Sequence, residues 1–379
     1  MSRQIFAVLV TVVSLWLAQC QTAHAQGIVN ADREKPLRVT FVNPDSPDSP
    51  FWQRLIAVMS AAAEDLGISL NIVHAHNVRM AYVEALMTEI ESDDPPDYLV
   101  YIYLRQASAY VLAAAEQAGV KSLIINTEIP QAERATIGEP RTRFKQWIGH
   151  IHPDDRRAGE DLLTELVSLS TAKGNSFHQV TAISGSRSSA PALERDLGLH
   201  AALAEHSQIK LNQLVHVDWN GEGIDDVIVG LMQRHPNTNV VWTAGDSIAL
   251  KALKTISKLP ESKRRQFVIG GMDWSEKGLE AVANGDIDVS MGGHFMEGGW
   301  AMVMLYDYHH GHDFARHNTQ LTTQLFPVTR DNIEQVSLLL SANDWQHINF
   351  ESFSMAQQPE QSAYRFHWPA VVAALNQPD

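Results

Sequence analysis

Along this chain short apolar runs alternate with longer stretches whose apolar residues recur at helical spacing. Leu37 to Val42 reads as a buried strand, and a turn-rich loop follows from Asn43 to Pro50. An Ala-rich helical face then runs from about Phe51 to Leu66 and stops at Gly67. The same alternation predicts strands at Ile68–Val73, Tyr98–Leu104 and Ser122–Asn126, and helices at Met80–Glu91 and Ala107–Gln117. It restarts after residue 150, with helices at Arg157–Ser168, Ala192–Glu205, Ile224–Arg234 and Ser247–Leu259. Strands are expected there at Gln179–Ser184, Leu211–Val217, Asn239–Thr243 and Phe267–Gly271. Strands alternating with helices of this length imply βαβ units, and so a parallel sheet with helices on both faces. Two successive α/β halves predict two Rossmann-like lobes, and the less regular residues after about 320 a wrap-around tail.

The amino terminus bears on compartment. Arg3 precedes an almost continuous apolar run from Ile5 to Leu17, and Ala23-His24-Ala25 offers the small-x-small pattern of signal-peptidase cleavage. Residues 1–25 are therefore expected to be a signal peptide, maturation to begin at Gln26, and the protein to be exported to the periplasm. No later segment approaches the roughly 20 apolar residues of a spanning helix. Cys20 is the only cysteine, a lipidation candidate with Gln19 where a small residue is preferred. Cleavage after Ala25 leaves no thiol for disulfides or catalysis.

A net charge of −15 runs against a nucleic-acid binder, which needs basic patches to meet phosphate, and suits a soluble exported protein.

In open α/β sheets ligands sit beyond the carboxyl ends of the strands. That rule selects Asp48-Ser49-Pro50-Phe51-Trp52, Asn126-Thr127-Glu128, Ser184-Gly185-Ser186-Arg187, Asp218-Trp219-Asn220, Ala244-Gly245-Asp246 and Gly271-Met272-Asp273-Trp274, with Gly292-Gly293-His294-Phe295 beside them. Nearly every one holds an aromatic, a carboxylate or an amide. Sugar recognition asks for that mixture: aromatic faces cover the C–H side of a ring, while Asp, Asn and Arg bond hydroxyls. Taken singly, a Trp after a strand is commonly packing and an Asp before a helix, such as Asp246, commonly an N-cap.

Three histidine groups, His74/His76, His150/His152 and His309/His310/His312, suit strand packing or a helix C-terminus better than metal ligation. Ser184-Gly185-Ser186 lacks the glycine pattern of a nucleophile elbow. Gly221-Glu222-Gly223 lacks the Lys-Ser/Thr of a phosphate loop. Asp154-Asp155 and Asp225-Asp226 read as helix-start residues rather than paired catalytic carboxylates. No cofactor, metal or catalysis is expected; a secreted α/β hydrolase is the weaker alternative.

Ser49-Pro50-Phe51-Trp52, Glu194-Arg195-Asp196-Leu197-Gly198-Leu199, Thr243 to Leu253 and Ile269-Gly270-Gly271-Met272-Asp273, in this order and spacing, resemble the type I periplasmic binding proteins of the ribose, galactose and autoinducer-2 group. The resemblance covers nearly all of the mature length. It implies two lobes joined by a three-segment hinge, the first from residues 36–150 plus 294–322, the second from 151–293 plus 323–379 with the tail. It also implies ligand roles for Phe51, Trp52, Arg195, Trp219, Asp246 and Asp273, with Asn126, Thr127 and His294 at further ligand positions. Asn126 stands where relatives place aspartate and Thr127 where ribose proteins place arginine. Gly245 replaces an asparagine, and Gly293 or His294 a glutamine. These departures shift the expected solute from ribose toward another polyol or a non-sugar signal. Sugar-responsive repressors share the fold but begin with a DNA-binding element, where this chain has an export signal. The implied protein is a monomeric solute-binding protein that presents its closed state to an inner-membrane ABC permease or a sensor receptor.

Overall fold

The computed structural model describes residues 35–219, 223–334, 336 and 345–375; the expected signal peptide, Cys20 and Asn220 to Glu222 lie outside them. In the first half, β1 (Arg38–Asn43), α1 (Pro50–Asp65), β2 (Ser69–His74), α2 (Arg79–Ile90), β3 (Tyr98–Ile102), α3 (Ser108–Ala118), β4 (Lys121–Ile125), α4 (Gln131–Ile137) and β5 (Trp147–Pro153) follow one another. The second half runs α5 (Asp155–Ala172), β6 (His178–Ser184), α6 (Ala190–Glu205), β7 (Ile209–His216), α7 (Ile224–Arg234), β8 (Val240–Thr243), α8 (Asp246–Ile256), α9 (Glu261–Arg264), β9 (Val268–Met272), α10 (Glu276–Asn284) and β10 (Val289–Gly292). The chain then crosses back into α11 (Glu297–His309) and β11 (Gln320–Thr323), and returns through β12 (Phe326–Thr329). A last helix, α12, spans Trp368–Leu375.

Two six-stranded sheets result, ordered β11-β5-β4-β3-β1-β2 and β12-β10-β9-β8-β6-β7. The inner strands β1, β3, β4 and β5 are buried almost throughout, as strands covered on both faces must be. The edge strands β2 and β7 carry partly exposed positions. The second sheet is not wholly parallel: β12 runs antiparallel to β10. Three crossings join the sheets, after Pro153, after Gly292 and after Thr323, and they form a three-segment hinge. Asp154 N donates to Thr323 O at 2.8 Å, tying two crossings together.

Strand β5 has no counterpart in the predicted elements because its register hides polar side chains: His150 and His152 are both buried. His150 Nε2 meets Thr127 O at 2.9 Å, which satisfies a ring nitrogen inside the sheet. His74 Nδ1 lies 2.9 Å from Asn43 Nδ2, and His310, the C-cap of α11, bonds Tyr306 O at 2.8 Å. His74 and His150 thus bond within their strands and loops, and His310 closes a helix end.

Residues 345–353 pack on α1 and α11, beside the first sheet. Phe350 N donates to Asp65 Oδ2 at 2.7 Å, and Trp300 meets Phe353 at 4.8 Å between ring centroids.

Candidate functional site

The site begins with a helix contact. Gly159 of α5 and Gly198 of α6 leave no room for a side chain: a Cβ on Gly198 would sit 1.9 Å from Arg156 O, and one on Gly159 2.2 Å from Arg195 O. This close approach brings the Arg195 guanidinium against the first turn of α5. Arg195 Nε donates to Asp155 Oδ1 at 2.7 Å, and Nη1 donates to Ala244 O at 2.5 Å. Nη1 also lies 3.9 Å from Asp273 Oδ1, and the guanidinium sits 5.7 Å from the Trp219 ring. Burial works against the charge, but Asp155 and Asp273 outweigh it and hold the Arg195 pKa above the ordinary arginine value. Asp155 Oδ2 is buried without a hydrogen-bond partner among the described residues.

Asp273 and Trp274 follow β9 in left-handed conformations, with φ of 107° and 50°. Such angles are rare for residues other than glycine and cluster at functional loops. Burial raises the Asp273 carboxyl to about 8; Arg195 pulls it down, while Asp246 and Asp155 push it up. His294, on the second crossing, places Nε2 3.6 Å from Asp273 Oδ1 and stacks on Phe51 at 4.7 Å and 26°. Phe51 in turn meets Trp52 edge-on at 5.0 Å. Burial, and then Arg195, depress the His294 pKa well below its usual value, so the ring is neutral near pH 7. Its Nδ1 is buried and unpartnered among the described residues.

The fold therefore brings Arg195, Asp273, His294, Phe51, Trp52 and Trp219 together. The Trp219 ring lies over Gly185, where a Cβ would come within 2.4 Å of it.

Two other expected residues are occupied within the protein. Thr127 Oγ1 accepts from Tyr103 N at 2.6 Å and donates back to Tyr103 O at 3.3 Å. Asp246 is fully buried, and its carboxylate accepts from Ser290 Oγ at 2.7 Å, Ser275 N at 2.8 Å and Ser275 Oγ at 3.0 Å. It ties the start of α8 to the loop after β9 and to strand β10 itself, and caps no helix with its side chain: the N-cap of α8 is Gly245.

Three residues escaped the sequence reading. Asp155 looks like its neighbour Asp154, yet Asp154 caps α5 by accepting from Arg157 N at 2.9 Å, while Asp155 pairs with Arg195. Glu297, at the start of α11, is wholly buried, and Thr323 Oγ1 donates to its Oε1. Burial raises the Glu297 carboxyl to about 8, with Thr323 and Asn126 offsetting part of the rise and Asp155 adding to it. Among the described residues its Oε2 and the Asn126 Nδ2 have no hydrogen-bond partner, and Asn126 itself is left-handed, with φ of 63°. Arg54 of α1 donates from Nη1 to Trp274 O, linking a helix of the first sheet to a loop of the second. Nothing in local spacing marks these three, since each acquires its role from a partner distant in sequence.

A family model described as a periplasmic binding protein domain matches residues 39–313. Among solved structures, a periplasmic sugar-binding protein from Pseudomonas fluorescens is 28% identical, with a TM-score of 0.79 over 89% of this chain and 99% of that one. A Mycobacterium smegmatis protein in complex with β-D-fucofuranose is 16% identical, with a TM-score of 0.68 over 82% of this chain and 96% of that one. An ABC transporter solute binding protein from Bacillus halodurans with bound myo-inositol is 14% identical, with a TM-score of 0.67 over 81% and 99%. At those identities the last two speak for the fold alone. A xylitol-binding protein of Mycolicibacterium smegmatis is 24% identical over 176 residues, 46% of this chain and 45% of that protein. The chain thus matches less than half the length of that curated relative.

Proposed function

The chain belongs to the periplasmic binding protein family, and on that premise we propose that it closes two lobes around a small polyhydroxylated solute, a sugar or sugar alcohol. The observation that carries the reading is the convergence of Arg195, Asp273, His294 and Phe51 at the carboxyl ends of both sheets. The guanidinium has five N–H donors, and Asp155 and Ala244 each engage one, which leaves others for solute hydroxyls. The Asp273 carboxyl accepts a hydroxyl proton when ionised and can donate one when protonated. His294, held neutral, offers one donor and one acceptor. Phe51, Trp52 and Trp219 supply apolar faces for the C–H side of the solute.

Binding contacts made from both lobes exist only when the lobes are closed, so the solute shifts the population toward that state. The protein works in the periplasm after removal of residues 1–25, and as a monomer. No catalysis is part of this reading: the Ser184-Gly185-Ser186 turn lacks the glycine pattern of a nucleophile elbow, and Ser184 Oγ donates to Ala192 O rather than to a base. The closed form is read by an inner-membrane ABC permease. A sensor receptor is the second reading, favoured by the packed tail segment of residues 345–375. Recovery of permease subunits alone in a pulldown would remove it.

The test is a thermal-shift screen of residues 26–379 against sugars, polyols, furanosyl compounds and small amines. A solute at 100 times its Kd adds about 2.7 kcal/mol of stability, a shift of a few degrees. A sugar or polyol hit that vanishes in Arg195→Ala and Asp273→Ala supports the reading. A flat screen with folded protein, or a hit only among amines, overturns it.

A further inference from the structure

We infer that the C-terminal tail bridges the hinge and that Trp368 is a positioning residue for Asp273, acting through Trp274. The inference rests on the reading of Asp273 as a solute-binding residue.

The tail is fixed to the first-sheet side by more than one contact. Asp307 of α11 accepts from Met355 N at 2.8 Å, Ala356 N at 3.1 Å, Tyr364 Oη at 2.9 Å and the Ser354 hydroxyl. Trp300, on the same helix, stacks on Phe366 at 4.6 Å and 11°, and Tyr364 stacks on Phe366 at 4.4 Å. A carboxylate accepting from several donors and a layered aromatic group leave this segment little freedom.

Two residues beyond Phe366 the tail reaches the other lobe. The Trp368 ring meets Trp274 edge-on at 4.9 Å and 79°, and lies 6.5 Å from Phe295. Trp274 stands on the loop after β9, directly following Asp273. Its indole is fully buried, its Nε1 donates to Ser290 O at 3.0 Å, and it lies so close on Gly292 that a Cβ there would sit 2.3 Å from its Cγ. Phe366, His367 and Trp368 also line a crevice with Gly293, Thr323 and Gln324, residues of the second and third crossings. The tail therefore touches the hinge, the first-sheet helices and the loop that carries Asp273.

That contact matters because of the backbone. Asp273 and Trp274 are consecutive non-glycine residues in the left-handed region. Such conformations persist only where the surroundings over-determine them. Trp274 is gripped from the first-sheet side by Arg54 at its carbonyl and by Trp368 at its ring. Loss of the Trp368 edge frees the loop to relax, and the carboxylate leaves its place beside Arg195 and His294.

Hydrogen exchange on the protein without solute tests this directly. Trp368→Leu is expected to raise exchange at residues 271–275 and 289–293 at least tenfold, with β1 and β3 unchanged, and Trp368→Phe to restore protection. A rise confined to residues 345–375 would overturn the inference. In parallel, xylitol, myo-inositol and L-arabinose are titrated into both variants. For whichever binds the wild type, Trp368→Leu is expected to weaken affinity at least tenfold through faster dissociation, with rescue by Trp368→Phe. Unchanged affinity despite faster exchange also overturns it. If none of the three binds the wild type, the choice of solute falls and the exchange result alone decides. Should Trp368→Leu fail to fold, Trp368→Tyr takes its place, with the same two effects expected in reduced size.

Discussion

Arg195 and Asp155 form an ion pair, Nε to Oδ1 at 2.7 Å, in which neither side chain is more than 4% exposed. It joins the first turn of α5, just past the first crossing, to the middle of α6, so the guanidinium is oriented before any solute arrives. Preorganisation of this kind reduces the ordering cost of binding.

Removing one partner of such a pair strands the other charge. Asp155→Ala is expected to cost about 3–5 kcal/mol of stability, because Arg195 stays buried without its counter-charge. Urea unfolding with a constant m-value measures it. A loss under about 1 kcal/mol would mean that water or a shifted rotamer satisfies Arg195, and that the pair does not fix its position.

The same pair depends on how closely its helices approach. A methyl group on Gly198 would meet backbone atoms of Arg156 and Glu160, at 1.9 Å and 2.8 Å, and backbone cannot swing aside as a flexible side chain can. Gly198→Ala should therefore part α5 and α6, with a cost of about 1–3 kcal/mol in unfolding experiments. Solute affinity should fall as well, since Arg195 is carried away from Asp273. Wild-type stability in this variant would show that the two helices slide without cost.

Much of this architecture was legible in the chain. Apolar runs such as Leu99-Val100 and Leu123-Ile124-Ile125 belong to strands buried on both faces, and they announced the parallel sheets. Gly119, left-handed with φ of 73°, ended its helix where the pattern stopped. Strand β5 stayed hidden because a central strand can bury His150 and His152 once a carbonyl meets one ring, and no local pattern foretells that carbonyl. The site divided along the same line. Arg195, Asp273 and Phe51 stand at predicted strand ends or in motifs. Asp155 and Glu297 do not differ locally from solvent-facing helix-start acids, and only tertiary packing buries them. The tail contacts of Asp307 and Trp300 are likewise long-range pairings, invisible to periodicity.

Glu297 makes stability depend on pH. Its carboxyl is raised by burial to about 8, faced by Thr323, Asn126 and Asp155. In the unfolded chain it titrates near the usual ~4.3. The folded state therefore holds the proton more tightly, so this contribution is fully present below ~4.3 and is lost as pH rises through about 8. Asp273, also raised to about 8, acts in the same direction. The solute-free protein should melt at a lower temperature at pH 8.5 than at pH 5.5. The slope should reach up to about 1.4 kcal/mol per pH unit for each proton released. Glu297→Gln should flatten the curve. A Glu297→Gln profile parallel to that of the wild type would show that the buried carboxyl ionises at ordinary pH, since histidines held neutral such as His294 oppose the slope equally in both.

The two aspartates that follow β8 and β9 should separate stability from binding. Asp246 has both carboxylate oxygens engaged, Oδ1 by Ser290 and Oδ2 by Ser275, and no part of it is exposed. Asp246→Asn replaces an acceptor by a donor facing a hydroxyl and an amide N–H. It should cost about 1–3 kcal/mol, with affinity per folded molecule within about threefold of wild type. Among the described residues the Asp273 side chain has only longer contacts, 3.9 Å to Arg195 and 3.6 Å to His294, and its carboxyl is open to a solute hydroxyl. At pH 9, where the Asp273 carboxyl is ionised, Asp273→Asn should lower affinity at least about tenfold, the ~1.4 kcal/mol or more expected of one charge-assisted bond, while the melting temperature stays level or rises. Titration calorimetry beside thermal melts of both variants decides the matter. If Asp246→Asn abolished binding in a folded protein, or Asp273→Asn left it intact, the roles assigned to the two carboxylates would have to be exchanged.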